Sequence, residues 1–172
     1  LTFLLAAGTG LYLIFAAGWP VLAIGCASIL AAVLYSGGPY PLASHGLGDA
    51  FAFFFFGPVA VCGTYYLQAL GLSFLCVFLS LSVGFLVAAI LVVNNLRDIP
   101  TDSKVGKRTL AVMLGPERSR VEFVLLLAAA YGLVVLLCLL GRLSPWGLLP
   151  LLTLPMAVSL ARSLWVLSGP AL

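Results

Sequence analysis

Six apolar stretches almost free of charge take up most of this 172-residue chain: Leu1–Ala17, Val21–Tyr35, Phe51–Leu70, Leu72–Val93, Phe123–Leu140 and Trp146–Leu160. A helix that crosses a bilayer needs about 20 apolar residues, with about 17 at the lower end. Most of the six reach that length once their flanks are counted. Irregular backbone cannot face lipid, because nothing there satisfies its hydrogen bonds. The reading is an all-α fold, a polytopic transmembrane bundle of six helices forming one domain over residues 1–172. Only 8% of the residues are charged, against about 25% in soluble domains, which excludes a soluble globule and gives no footing for nucleic acid as a partner.

The first stretch has no basic residues ahead of it and no small-residue cleavage site, so it does not read as a secretory signal. The chain opens inside an apolar run without a methionine, and its last residues, "LSGPAL", do not resemble a cytoplasmic tail. The expectation is a piece of a longer protein. Cys26, Cys62, Cys76 and Cys138 each fall inside an apolar stretch with no CxxC spacing. They are expected to be buried and inert, since zinc or disulfide frameworks cluster their ligands.

Polarity is confined to two connectors. Ten of the thirteen charged residues lie between Arg97 and Glu122. The connectors expected to be long and polar are 36–50 and 94–122; the latter holds six of the eight cations. Lys and Arg mark the cytoplasmic side, so 94–122 is expected there. Two crossings separate it from 36–50, which puts both loops on the same face of the cell's inner or plasma membrane. Gly57-Pro58, Pro150 and Pro155 are expected to kink their helices, since proline removes a backbone donor and crowds the preceding turn.

Asn94, Asp98 and Asp102 follow at i, i+4 and i+8, which would align them on one helix face. Pro100 disfavours helical geometry at Ile99, so the helix is expected to end or bend there, with Asp102 placed by a turn. Two carboxylates and an amide oxygen make a hard oxygen site suited to magnesium, which is held by one or two carboxylates plus substrate phosphates. Lys104, Lys107 and Arg108 follow closely enough to hold the same phosphates. The bland account is a solvated loop whose cations only set topology, but topology does not call for carboxylates. No GxxxxGKS phosphate loop is present. The other connector, "YSGGPYPLASHGLGDAF", is rich in Gly and Pro and is expected to turn tightly without helix. Tyr35, Tyr40, Ser44, His45 and Asp49 offer it hydrogen-bonding and stacking groups, though tyrosine anchors at the interface would look the same.

Together "YSGGPYPLASHGLGDAFAFFFFGPVAVCGTYYLQ" and "NNLRDIPTDSKVGKRTLAVMLG" resemble the UbiA superfamily of intramembrane prenyltransferases. Within it they are most similar to the enzymes that prenylate 1,4-dihydroxy-2-naphthoate in menaquinone synthesis. The resemblance covers essentially the whole chain. It implies a bundle of nine helices with two aspartate-rich motifs, of which the six here would be helices three to eight. The second motif would be Asn94 to Asp102; the first, and helix nine, have no counterpart. Met113 stands where a basic residue is expected, and Ser44 where an aromatic one is.

The resemblance implies transfer of a polyprenyl group from polyprenyl diphosphate to an aromatic acceptor, with loss of carbon dioxide when that acceptor is the naphthoate; another aromatic acceptor is the alternative. It implies Mg2+ held by Asn94, Asp98 and Asp102, the two aspartates being the catalytic pair, with Asn95 lining the site. Lys104, Lys107 and Arg108 would grip the diphosphate, and Arg97 would do so or pair with an acid. Tyr35, Tyr40 and His45 would form the acceptor's entrance. With one motif alone, this stretch of chain is expected to be inactive by itself. The rival classes are a transporter and a structural membrane subunit. A transporter places ionisable groups near mid-membrane, and the spans hold none.

Overall fold

The computed structural model describes residues 2–38 and 40–166. Pro39 of the glycine-rich connector and the final stretch "LSGPAL" lie outside the described residues. The elements run α1 (Thr2–Ala17), α2 (Trp19–Ser36), a 3-10 turn (Leu42–His45), α3 (Gly48–Phe54), a π-helical segment (Phe55–Cys62), α4 (Gly63–Ala69), α5 (Phe74–Lys104), α6 (Leu110–Leu139), a 3-10 stretch (Pro145–Thr153) and α7 (Leu154–Val166). No strand occurs among the described residues.

These elements make the six expected segments, and five of them are long and apolar enough to cross a membrane. The first, α1, has 16 residues. Large apolar side chains face outward along the bundle, Phe15 at 83% exposure and Leu139 at 80% among them. In water such a surface would aggregate; in lipid it is the ordinary exterior. The protein is a multi-pass membrane protein.

The Gly57-Pro58 kink takes the form of the π-helical segment, whose wider turns absorb the bond that proline cannot make. Gly57 also sets the packing there. A Cβ on Gly57 would lie 2.6 Å from the Gly84 Cα and 2.8 Å from the Ser80 carbonyl oxygen. Two glycines thus let the π segment and α5 meet backbone to backbone, as small residues do between membrane helices. The prolines of the last segment give a 3-10 stretch over Pro145–Thr153 before α7 begins.

Pro100 does not end its helix, one of the two outcomes expected from the sequence: α5 continues to Lys104. Proline removes only its own amide bond, and two hydroxyls nearby bond back to main-chain carbonyls. Thr101 Oγ1 donates to the Asp98 carbonyl at 2.8 Å, and Ser103 Oγ to the Ile99 carbonyl at 2.7 Å. Asp102 is therefore placed by the helix and not by a turn. The connector 94–122 is correspondingly more helical than the sequence reading has it. Only Val105–Thr109 separates α5 from α6, and α6 itself breaks at Gly115, where φ is 79°. Thr109 caps α6 by accepting from the Val112 amide at 3.3 Å.

Helices α5, α6 and α7 close on a core of Ala89, Val92, Leu96, Phe123 and Leu164, next to the charged connector. Arg120 fastens α7 to α6: its Nε donates to the Leu164 carbonyl at 2.6 Å, and its guanidinium lies 5.8 Å from the Trp165 ring centre. The cysteines depart from expectation, since only Cys76 is buried; Cys62 and Cys138 are half-buried and Cys26 is exposed. A segment facing lipid offers an apolar environment without burial inside protein, so apolar sequence context does not fix which face a cysteine takes.

Candidate active site at the charged end of the bundle

The two polar connectors touch. The main-chain amide of Arg108 donates to the Ser44 carbonyl at 2.9 Å, across 64 positions of sequence. Gly46 sits at φ 78° beside Met113, whose Cε would be 2.8 Å from a Cβ placed there. Only glycine suits that position, both for the left-handed backbone and for the room. Ser44 and Met113 thus both lie along one seam between the loops.

Beneath the seam the start of α3 packs on α5. Asn95 Nδ2 donates to Asp49 Oδ1 at 3.3 Å, and Asp49 is only 6% exposed. The Tyr35 hydroxyl reaches the same place, 3.5 Å from where a Cβ on Gly48 would lie. About two helical turns beyond Asn95 along α5, Asp102 is 8% exposed. Its Oδ1 accepts from Lys107 Nζ at 3.2 Å, so the carboxylate is buried with its countercharge at hand.

Asp98 is more open. Arg97 grips it with two hydrogen bonds, Nε to Oδ1 at 2.8 Å and a terminal nitrogen to Oδ2 at 3.0 Å. The pair lies beyond the apolar stretch of α5 that ends at Val93, and the hydrogen-bonded guanidinium holds the Asp98 carboxyl below the ordinary carboxylate range. Asp98 thus stays ionised to lower pH than an isolated aspartate.

The remaining residues named from sequence divide. Asn94, Lys104, Lys107 and Arg108 are exposed around this rim. Tyr40 stacks on His45 with ring centres 3.4 Å apart, and His45 Nδ1–H donates to the Pro41 carbonyl at 2.7 Å. That bond fixes the proton of a neutral imidazole on Nδ1 and leaves Nε2 as an acceptor. The pair is a compact lobe of the loop. Tyr35, by contrast, faces inward with Asp49.

Asp49 is the residue that sequence reading undervalued. It is the only acid outside the 97–122 stretch, and an acid beside an apolar run was the available signal. Next to it an apolar cavity of about 590 Å3 opens between α2, α3 and the π segment, with Tyr35, Phe51, Phe55 and Phe56 among its walls.

Among the described residues no three His, Cys, Asp or Glu side chains converge as a metal cage. The donor chemistry nevertheless fits magnesium. Asp98, Asp102 and Asn94 are hard oxygen donors on one flank of α5, and this ion is commonly held by two carboxylates with substrate phosphates completing its shell. The cations now on Asp98 and Asp102 are the kind of group that a diphosphate would draw to itself.

The sequence profile described as the UbiA prenyltransferase family matches residues 1–171. The chain is 42% identical over 158 residues to the 1,4-dihydroxy-2-naphthoate octaprenyltransferase of Mycobacterium tuberculosis, covering 91% of this chain and 53% of that protein. It is 40% identical over 141 residues to the Escherichia coli protein of the same name, covering 82% of this chain and 46% of that one. A vertebrate relative, UbiA prenyltransferase domain-containing protein 1 of Danio rerio, is 41% identical over 130 residues, covering 75% of this chain and 38% of that protein. The chain spans about half the length of the curated relatives it matches. No solved structure matches it significantly. The helices, the joined polar loops and a profile match over nearly the full length agree, and the chain belongs to the UbiA prenyltransferase family.

Proposed function

We propose that this chain forms the acceptor and diphosphate face of a prenyltransferase, which moves a polyprenyl group from polyprenyl diphosphate to 1,4-dihydroxy-2-naphthoate. The observation that carries the reading is the seam between the two loops. It gathers Asp49, Asn95, Asp102 and Lys107 at one end of apolar helices, where a substrate with a charged head and a greasy tail would lie. The names of the M. tuberculosis and E. coli relatives support the naphthoate as acceptor.

Each group has a task that its chemistry suits. Lys104, Lys107 and Arg108 hold the diphosphate and stabilise the negative charge that grows as it leaves. Asp98, Asp102 and Asn94 would hold magnesium, which when bound supplies further neutralisation of that charge. Departure of the diphosphate leaves an allylic cation on the prenyl carbon. The ring carbon bearing the carboxylate attacks it, and the carboxylate then leaves as carbon dioxide, its electron pair returning to the ring. Asp49 accepts a hydrogen bond from a ring hydroxyl and so raises the electron density of the attacking carbon. Asn95 orients Asp49, and the aromatic walls of the neighbouring cavity receive the ring. Apolar helices exclude water from the cation. The density of Lys and Arg around the site supports a cytoplasmic position for this end, at the plasma or inner membrane.

The test is prenyl transfer in reconstituted bilayers, with labelled prenyl diphosphate, magnesium and the naphthoate. It is run on this chain alone and together with the further segments of its longer relatives. The expected result is prenylated product and carbon dioxide in equal amounts when all parts are present. Prenyl diphosphate binding with no transfer to any hydroxylated aromatic acid would overturn the assignment.

A further inference from the structure

The Sγ atoms of Cys62 and Cys76 lie 4.0 Å apart. Cys62 ends the π segment and Cys76 sits in the first turn of α5, where Ser73 Oγ accepts from its main-chain amide at 3.1 Å. The contact follows from the glycine packing: the Gly57–Gly84 approach draws the two antiparallel helices together and leaves the thiols facing each other farther from the charged end. A disulfide has an S–S length of about 2.05 Å, so closure needs a movement of about 2 Å, which changes of side-chain rotamer can largely supply. Cys76 also lines an open groove of about 720 Å3 with Thr64, Tyr65 and Gln68, which gives a small apolar reagent a path to the pair. Cys26, exposed, and Cys138, whose Sγ–H points to the Ser144 carbonyl at 3.6 Å, have no such thiol partner.

We propose that Cys62 and Cys76 form a dithiol site that an apolar organic disulfide oxidises to an intrachain disulfide. Cys62, the more accessible thiol, loses its proton and attacks one sulfur of the reagent. The reagent's S–S bond breaks, one thiolate leaves and takes up that proton, and Cys62 carries a mixed disulfide. Cys76, likewise deprotonated, attacks the Cys62 sulfur and displaces the second thiol. Two protein thiols are oxidised and one reagent disulfide is reduced to two thiols, so electrons and protons balance. The product staples the end of the π segment to α5, as the glycine contact already holds its beginning. Because α3 runs directly into the π segment, the staple constrains the helix that carries Asp49.

The experiment uses the bilayer-reconstituted protein and 4,4′-dithiodipyridine, followed by denaturation, alkylation of remaining thiols and peptide mass mapping. The expected result is a linked Cys62–Cys76 peptide, two hydrogens lighter than the reduced pair, with thiopyridine retained on Cys26. In Cys76→Ser, Cys62 retains the thiopyridine instead of losing it. Reduction with dithiothreitol restores both thiols. Three outcomes overturn the proposal: thiopyridine retained on Cys62 in the unsubstituted protein, linkage of either cysteine to Cys26 or Cys138, or an unreacted pair under conditions that modify Cys26.

Discussion

The side-chain amide of Asn95 donates to the carboxylate of Asp49 at 3.3 Å, joining α5 to the start of α3 at the point where both meet the apolar bundle. The two residues are 46 positions apart in the chain. Their bond links the glycine-rich loop to the helix that bears the aspartate motif.

Asp49→Asn keeps the shape of the side chain but makes it a far weaker acceptor. Hydrogen bonds to a charged group contribute about 1.5–3 kcal/mol, so KM for the aromatic acceptor should rise by about 10- to 100-fold. KM for prenyl diphosphate should stay within about twofold, since cations hold that substrate. Steady-state kinetics with each substrate varied in turn decide this. A rise in the diphosphate KM alone would move Asp49 to the donor side.

Asp98→Asn removes a hard anionic ligand and also releases Arg97. Loss of one strong electrostatic contact to developing charge costs about 10²–10³ in kcat, and that loss should not be recovered by raising magnesium. The measurement is turnover across a magnesium titration. Near-normal turnover at ordinary magnesium would remove this motif from the metal site.

Lys107→Ala leaves Asp102 buried without its countercharge and takes one cation from the diphosphate. We expect KM for prenyl diphosphate to rise by about 10-fold, with the acceptor KM little changed. Lys107→Arg, which keeps the charge, should recover most of the loss. Failure of that recovery would mean that Lys107 acts through the local packing and not through its charge.

Gly57→Ala inserts a methyl where only 2.6 Å separates it from the Gly84 Cα. Overpacking costs about 1–3 kcal/mol, and here backbone atoms block relief. A lower unfolding temperature in detergent is expected, whereas Gly8→Ala, inside α1 with nothing within 4 Å, should not lower it. Equal effects of the two would mean that the close approach of the π segment and α5 is not formed.

Cysteines introduced at Ser44 and at Ser103, in a protein lacking the four native ones, should both react with a membrane-impermeant maleimide from the same side. The bond between Arg108 and Ser44 requires it. Labelling from opposite sides would break the seam on which the proposed site rests.

Much of the architecture is legible in the sequence because lipid imposes one simple demand. Every backbone polar group in the bilayer must bond within its own helix, so long uncharged runs report helices and their number directly. The local chemistry of the aspartate motif is legible for a similar reason, since Asn94, Asp98 and Asp102 share one flank of any continuous helix. Continuity was the uncertain part. Pro100 argues locally for an end to α5, yet the helix runs past it to Lys104, with Leu96 and Ile99 packed in the core on its inner side. Tertiary structure alone decided what stands opposite that flank. Nothing in the spacing of Asp49 and Asn95, of Ser44 and Arg108, or of Cys62 and Cys76 marks them as neighbours. Each pair exists because separate elements of the chain are drawn together, at one place by two glycines with no side chains to hold them apart. Sequence periodicity specifies the face a residue takes on its own helix; which face meets it depends on how the helices pack.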